Sequence, residues 1–230
     1  MDSIAGDGGL ISLPALLMAG ISPAGAIATN KLQSSFGSFS SSLNYIRKGQ
    51  VRPGELRTGI ICVAVGATAG ALIIDRLDPG FLAALLPVLL ALVFLYTLLA
   101  GEPPTPDQER HPRWFFPLAG TGLGFYDGFF GPGTGSFWMA LLRGVSGMTL
   151  LRAAACTRIL NFTSNIVSLL VFAAGDRILW TTGALMGLAC FAGARLGSSM
   201  AVRRGAALIR PLFLLVVFLS LIKVSLNTYA

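Results

Sequence analysis

Residues 79–101 read PGFLAALLPVLLALVFLYTLLAG, twenty-three positions without a charged side chain. A helix rises about 1.5 Å per residue, so ~20 apolar residues cross ~30 Å of hydrocarbon. The run fits a membrane span. Thr58–Ile74, Ile159–Gly175 and Ile178–Ala194 are free of charge in the same way. Of the 230 residues, 54% are hydrophobic and 12% charged, about half the charge of an ordinary soluble domain. Such a chain cannot cover a water-facing surface. The expected fold is all-α, a polytopic membrane protein.

Working outward, the pattern predicts helical segments at about 9–21, 24–46, 57–74, 80–100, 113–128, 134–146, 150–174, 178–200 and 206–226. The one long polar break is GEPPTPDQERHPR at 101–113, with four prolines and six ionisable residues. It divides the chain into a first transmembrane repeat (1–100), a linker (101–113) and a second repeat (114–230).

The two sides resemble each other. DSIAG at 2–6 matches DGFFG at 127–131, and Asn30-Lys31-Leu32 matches Thr157-Arg158-Ile159. Gly66 and Gly70, a small-xxx-small pair, match Gly193 and Gly197; Pro87 matches Pro211. The offset stays between 124 and 127. Loop charge swaps between the copies. Arg47, Lys48, Arg52 and Arg57 place loop 47–57 in the cytoplasm, whereas its mate around Gly175–Arg177 holds one Arg and one Asp. Conversely, Arg203, Arg204 and Arg210 crowd a loop whose mate carries Arg76 against Asp75 and Asp78. Two copies inserted in opposite directions would show this swap, and internal repeats are a common plan of secondary transporters. The second repeat has a helix before its DGFFG turn. The first starts at Met1-Asp2, so the pattern predicts one more span, ~20–25 residues, ahead of it.

The chemistry sits in a glycine-rich break followed by a polar helix, present twice. Gly6-Asp7-Gly8-Gly9 leads to ATNKLQSSFGS at 28–38, and GPGTGS at 131–136 leads to ACTRILNFTSN at 155–165. Irregular backbone at membrane depth is tolerated where it is buried in protein or lines a cavity. The half-helix restarting there aims free N–H groups and a positive dipole end at that cavity, which suits an anion. Lys31 and Arg158 lie at equivalent positions within otherwise apolar helices, at a cost of ~2.5–3.5 kcal/mol each on insertion scales. Asn30, Ser34, Ser38 and Ser41 run beside Lys31, and Asn161 and Asn165 continue from Arg158, at helical spacing. The candidate substrate-binding set is therefore Gly6, Gly8, Gly9, Asn30, Lys31, Ser34, Gly131, Gly133, Gly135, Arg158, Asn161 and Asn165. The alternative is that Lys31 and Arg158 snorkel to the interface and bind lipid phosphate. Asp2 and Asp127 are matching acids that pair with these cations, cap the half-helices or carry a proton. Asp7 within the glycine run works against an anion unless it is neutral or faces water.

Other readings are excluded or bland. The net charge of +7 fits basic cytoplasmic loops, and no soluble domain is present to bind nucleic acid. Cys62, Cys156 and Cys190 are odd in number, widely spaced and set in apolar segments, which suggests neither disulfides nor a metal site. His111 belongs to the polar linker. GxGxG at 131–135 is followed by no Lys-Ser/Thr, so it is no nucleotide loop. No cofactor and no catalytic constellation is expected, so the chain is not read as an enzyme.

At these residues the chain resembles the TauE/SafE sulfite-exporter family, in its YfcA-like branch. The resemblance is carried by residues 2–43 with ATNKLQSSFGSF, by GFYDGFFGPGTGSF at 124–137, by LNFTSN at 160–165 and by GARLG at 193–197. Two features depart from the family pattern: its first helix, and a GGGG run that Asp7 interrupts here. The resemblance implies a multi-pass permease or exporter of a prokaryotic cell inner membrane. Its solute would be a sulfur-containing anion such as sulfite, thiosulfate or a sulfonate. Partners are then a small anionic solute and membrane lipids. Other expectations stay open: a cation or neutral metabolite liganded by Asp2 and Asp127, or a non-transporting component with a dry interface between 24–46 and 150–174. Transport would come from one repeat rocking against the other.

Overall fold

The computed structural model describes residues 9–99 and 112–204. Eight α-helices make up the described part: α1 (Gly9–Met18), α2 (Pro23–Arg47), α3 (Arg57–Arg76), α4 (Pro79–Leu99), α5 (Thr121–Phe129), α6 (Thr134–Gly144), α7 (Leu150–Ala173) and α8 (Trp180–Arg204). The segment expected at 206–226, most of the linker, and Asp2, Gly6, Asp7 and Gly8 lie outside the described residues.

Local signals set the boundaries. Ser22 caps α2, its Oγ accepting from Gly25 N, with Pro23 at the first helical position, where a missing N–H costs nothing. Asp78 Oδ1 caps α4 by accepting from Gly80 N (2.8 Å) and Phe81 N (3.0 Å). Thr149 caps α7. The helix expected at 113–128 differs from expectation. It opens with a π-helical turn, Phe116–Gly120, before α5 begins at Thr121. Pro117 lies in that turn and has no N–H to give an α-helical bond, which favours the wider turn there.

The burial pattern is inverted relative to a soluble protein. Ile61, Val65 and Leu72 on α3, Leu92 and Leu95 on α4, and Leu185, Leu188 and Leu196 on α8 are exposed. Ser35, Ser38, Ser41, Asn44, Asn161, Ser164 and Asn165 are buried. Water would penalise so much scattered apolar surface, whereas lipid welcomes it. Pro53–Ile74 and Leu150–Ala173 are long and apolar enough to cross a membrane, with mean hydropathy 1.8 and 1.3. The molecule is a helical membrane protein.

The helices interlock. α2 packs along α8 and α7, and α3 packs along α5 and α7. Glycines bring α3 and α5 into backbone contact. A Cβ on Gly66 would lie 2.2 Å from Thr121 O, and one on Gly70 2.2 Å from Phe125 O. From the other side, a Cβ on Gly128 would lie 2.2 Å from Ala67 O. The repeat mate of Gly66 on α8 is Gly193, and a Cβ there would meet none of the described residues within 4 Å.

α2 and α7 run in opposite directions. The start of α2 meets the start of α8, where Leu179 N donates to Thr29 Oγ1 (3.1 Å). The loop that follows α2 meets the start of α7, where Arg152 pairs with Glu55 at 2.9 Å.

Candidate functional site

A polar cavity lies where α2 and α7 cross. Asn30, Lys31, Ser34 and Ser38 of α2 and Arg158, Asn161 and Asn165 of α7 line it, with Asp127, Gly9 and Gly131. The lining positions bracket the middle of both helices. Lys31 lies eight residues after Pro23 and Arg158 eight after Leu150, so the two cations approach the centre from opposite ends. Three pairs of lining residues, Lys31 and Arg158, Ser34 and Asn161, Ser38 and Asn165, share one offset of 127 along the chain.

Lys31 is wholly buried and Arg158 is 1% exposed. Neither head reaches the surface, which leaves no route to a lipid phosphate. Lys31 Nζ donates to Asp127 Oδ1 at 2.7 Å and also to the Asp127 backbone carbonyl. The other carboxylate oxygen, Oδ2, accepts from Ser164 Oγ. Ser164 also lies within hydrogen-bond reach of Leu160 O (3.3 Å) and Asn161 O (3.0 Å). Asp127 therefore makes an ion pair between α5 and α2, steadied from α7.

The second glycine break is built around this pair. Phe130 N and Gly131 N both donate to Tyr126 O, and Tyr126 Oη donates to Pro132 O (2.7 Å). Thr134 Oγ1 donates to Gly131 O (2.7 Å). Gly131 has φ +99°, and a Cβ there would sit 2.7 Å from Lys31 Nζ and 3.0 Å from Asp127 Oδ1. Only glycine meets both demands. Gly9, the last residue of the first break, meets the second break. A Cβ on Gly9 would lie 3.2 Å from Asn30 Nδ2 and 3.4 Å from Pro132 Cγ. The start of α1 thus reaches the cavity wall, while α6 begins three residues after Gly131.

Of the candidates read from the sequence, the cavity collects Gly9, Asn30, Lys31, Ser34, Gly131, Arg158, Asn161 and Asn165, together with Asp127. Gly133 and Gly135 are not among its lining residues. Gly133, with φ +86°, turns toward α4, where a Cβ would meet Val93 Cγ1 at 2.2 Å. Gly135 is buried in the first turn of α6. Gly6, Gly8 and Asp2 fall outside the described residues. Three serines were missing from the candidate set. Ser38 lies one turn beyond Ser34, and Ser164 lies three residues beyond Asn161, so a helical projection finds both. Ser12 of α1 donates to Asn30 Oδ1 (2.5 Å), and no spacing rule connects those two helices.

The room inside is ≈ 20 Å³, and ~10–15 Å³ holds one water. A tetrahedral oxyanion enters only if the walls part. The chemistry on offer is two buried cations, amide and hydroxyl donors, and one carboxylate already engaged by Lys31.

Residues 1–224 match the family model described as "Sulfite exporter TauE/SafE". The chain is 41% identical over 218 residues to "Probable membrane transporter protein YfcA" of Escherichia coli (strain K12), covering 94% of this chain and 81% of that protein. It is 44% identical over 220 residues to "Probable membrane transporter protein ORF9" of Sinorhizobium sp, covering 94% and 84%. It is 41% identical over 223 residues to a "Probable membrane transporter protein" of Haemophilus influenzae, covering 95% and 87%. No solved structure matches it. The chain belongs to the TauE/SafE family.

Proposed function

From this membership, we propose that the protein is a secondary transporter, a multi-pass permease or exporter of the inner membrane that moves a small anion, a sulfur oxyanion or organosulfonate. It is a transport protein rather than an enzyme. The observation that carries the reading is the central cavity, walled by three residue pairs at one offset of 127 with a buried cation in each half. A glycine of each break lines it, Gly9 and Gly131. The opposite directions of α2 and α7 support two inverted halves sharing one midplane site, an arrangement common among secondary transporters.

The competing readings fit the site less well. A cation would need Asp127, whose two oxygens are held by Lys31 and Ser164. A non-transporting component would carry a dry, apolar interface between α2 and α7, and that interface is polar, with room for about one water.

The test is flux of labelled sulfite, thiosulfate and methanesulfonate in proteoliposomes. Lys31→Ala and Arg158→Ala are each expected to lower the flux at least tenfold, since each removes a buried charge-assisted partner worth ~1.5–3 kcal/mol. Parent rates in both variants would show that the anion binds elsewhere.

A further inference from the structure

The Lys31–Asp127 pair has a consequence for what moves with the anion. We propose that Asp127 is the proton-coupling residue: when an anion replaces its carboxylate on Lys31, Asp127 takes up a proton, and one proton crosses with each anion. This inference rests on the transport reading above.

In the closed site Lys31 and Asp127 neutralise each other at 2.7 Å, both nearly sealed from solvent. An anion drawn to the Lys31 ammonium brings a second negative group to a charge that already has one. Arg158 balances one unit of added negative charge across the cavity, but an anion seated on the Lys31 ammonium still sets two anionic groups side by side at one ammonium, where they repel each other. A proton on Asp127 removes that repulsion. It comes from water on the side where the anion enters. It leaves on the other side, as the departing anion returns Lys31 to the carboxylate.

Ser164 equips the site for both states. With Asp127 ionised, its hydroxyl donates to Oδ2. With Asp127 protonated, the same hydroxyl can turn to Asn161 O or Leu160 O, both within reach. Its lone pairs then accept the new carboxyl proton, since a hydroxyl is one donor and two acceptors. A carboxylate held only by N–H donors would lack this second arrangement.

Among the described residues, few other ionisable groups face Asp127. Arg158 looks across the cavity from α7. α3 meets α5 through Val63, Gly66, Ala67 and Gly70, none of them ionisable. α1 carries no ionisable residue, and the one on α6, Arg143, stands at its far end.

The experiment uses the full chain in proteoliposomes with the membrane potential clamped to zero. The probe is whichever of sulfite, thiosulfate or methanesulfonate gives flux. An imposed gradient of one pH unit is expected to drive about a tenfold accumulation of the anion on the alkaline side, the ratio that one coupled proton supports. Asp127→Asn is expected to hold the steady-state ratio at one under the same gradient. Wild-type flux indifferent to the proton gradient would overturn the coupling and leave the transport reading intact. Proton-driven accumulation by Asp127→Asn would do the same. Absence of flux for all three anions under every gradient would overturn the transport reading and the coupling with it.

Discussion

Replacing Gly131 by alanine tests whether the ion pair, rather than the fold around it, governs the site. Two costs can be worked out. The first is conformational: φ is +99°, and holding a residue with a Cβ in such a region costs ~1–3 kcal/mol. The second is contact: the new methyl would lie 2.7 Å from Lys31 Nζ and 3.0 Å from Asp127 Oδ1, where ~3.5 Å is comfortable. The ammonium must retreat by about 0.8 Å, and a hydrogen bond stretched past ~3.2 Å loses most of its strength. Gly20→Ala separates the two costs, because Gly20 has φ +79° and nothing within 4 Å of its Cβ position. Both variants should melt earlier in detergent, by about 2–4 °C per kcal/mol lost. Only Gly131→Ala should also lose anion flux per folded molecule, by tenfold or more, while Gly20→Ala stays within about twofold of the parent. Parent-like flux in Gly131→Ala, or an equal loss in Gly20→Ala, would refute the link between the pair and transport.

The repeat-related glycines give a contrasting pair. Gly66→Ala puts a methyl 2.2 Å from the Thr121 carbonyl oxygen, so α3 and α5 must separate and the yield of folded protein in membranes should fall severalfold. Among the described residues Gly193→Ala meets nothing within 4 Å, and it should raise the melting temperature slightly, since alanine favours a helix over glycine by up to ~1 kcal/mol. Arg152→Ala, which breaks the exposed pair with Glu55, should change stability by less than ~1 kcal/mol in a thermal melt.

The apolar runs made most helices legible. The expected segments 24–46, 57–74, 80–100 and 150–174 lie within two residues of α2, α3, α4 and α7 at both ends. The cations Lys31 and Arg158 were legible because charge within an apolar run is costly and must be compensated. The glycines were only half legible. A glycine-rich break can be read from the sequence, but Gly131 lines the cavity and Gly133 packs against Val93. Both positions require positive φ, so nothing in the pattern separates the two duties. Ser12 and Ser164 were missed for different reasons. Ser164 sits on a readable helical stripe, while Ser12 reaches Asn30 only through the packing of α1 on α2. The pairing of Lys31 with Asp127, 96 residues apart, was open among several alternatives because spacing along the chain carries no information about contact between helices.

The packing also bears on how the site opens. Rocking of one half against the other requires each half to hold together by itself. Here α2 and α3, consecutive in the first half, spend their long faces on helices of the second: α2 on α8 and α7, α3 on α5 and α7. The α3–α5 contact is backbone to backbone at Gly66, Gly70 and Gly128, so it cannot slide without large gaps or clashes. The α2–α8 contact is pinned by Ser40 Oγ donating to Phe191 O (2.8 Å) and Asn44 Nδ2 donating to Ser198 Oγ (2.7 Å). The contacts therefore group α2 with α8 and α3 with α5 into mixed units, each drawing one helix from either half. The Lys31–Asp127 pair joins α2 of one unit to α5 of the other. In the transport cycle proposed above, an anion that takes Lys31 from Asp127 would loosen a bond between the two units as it occupies the site, and so would couple binding to the parting of the walls.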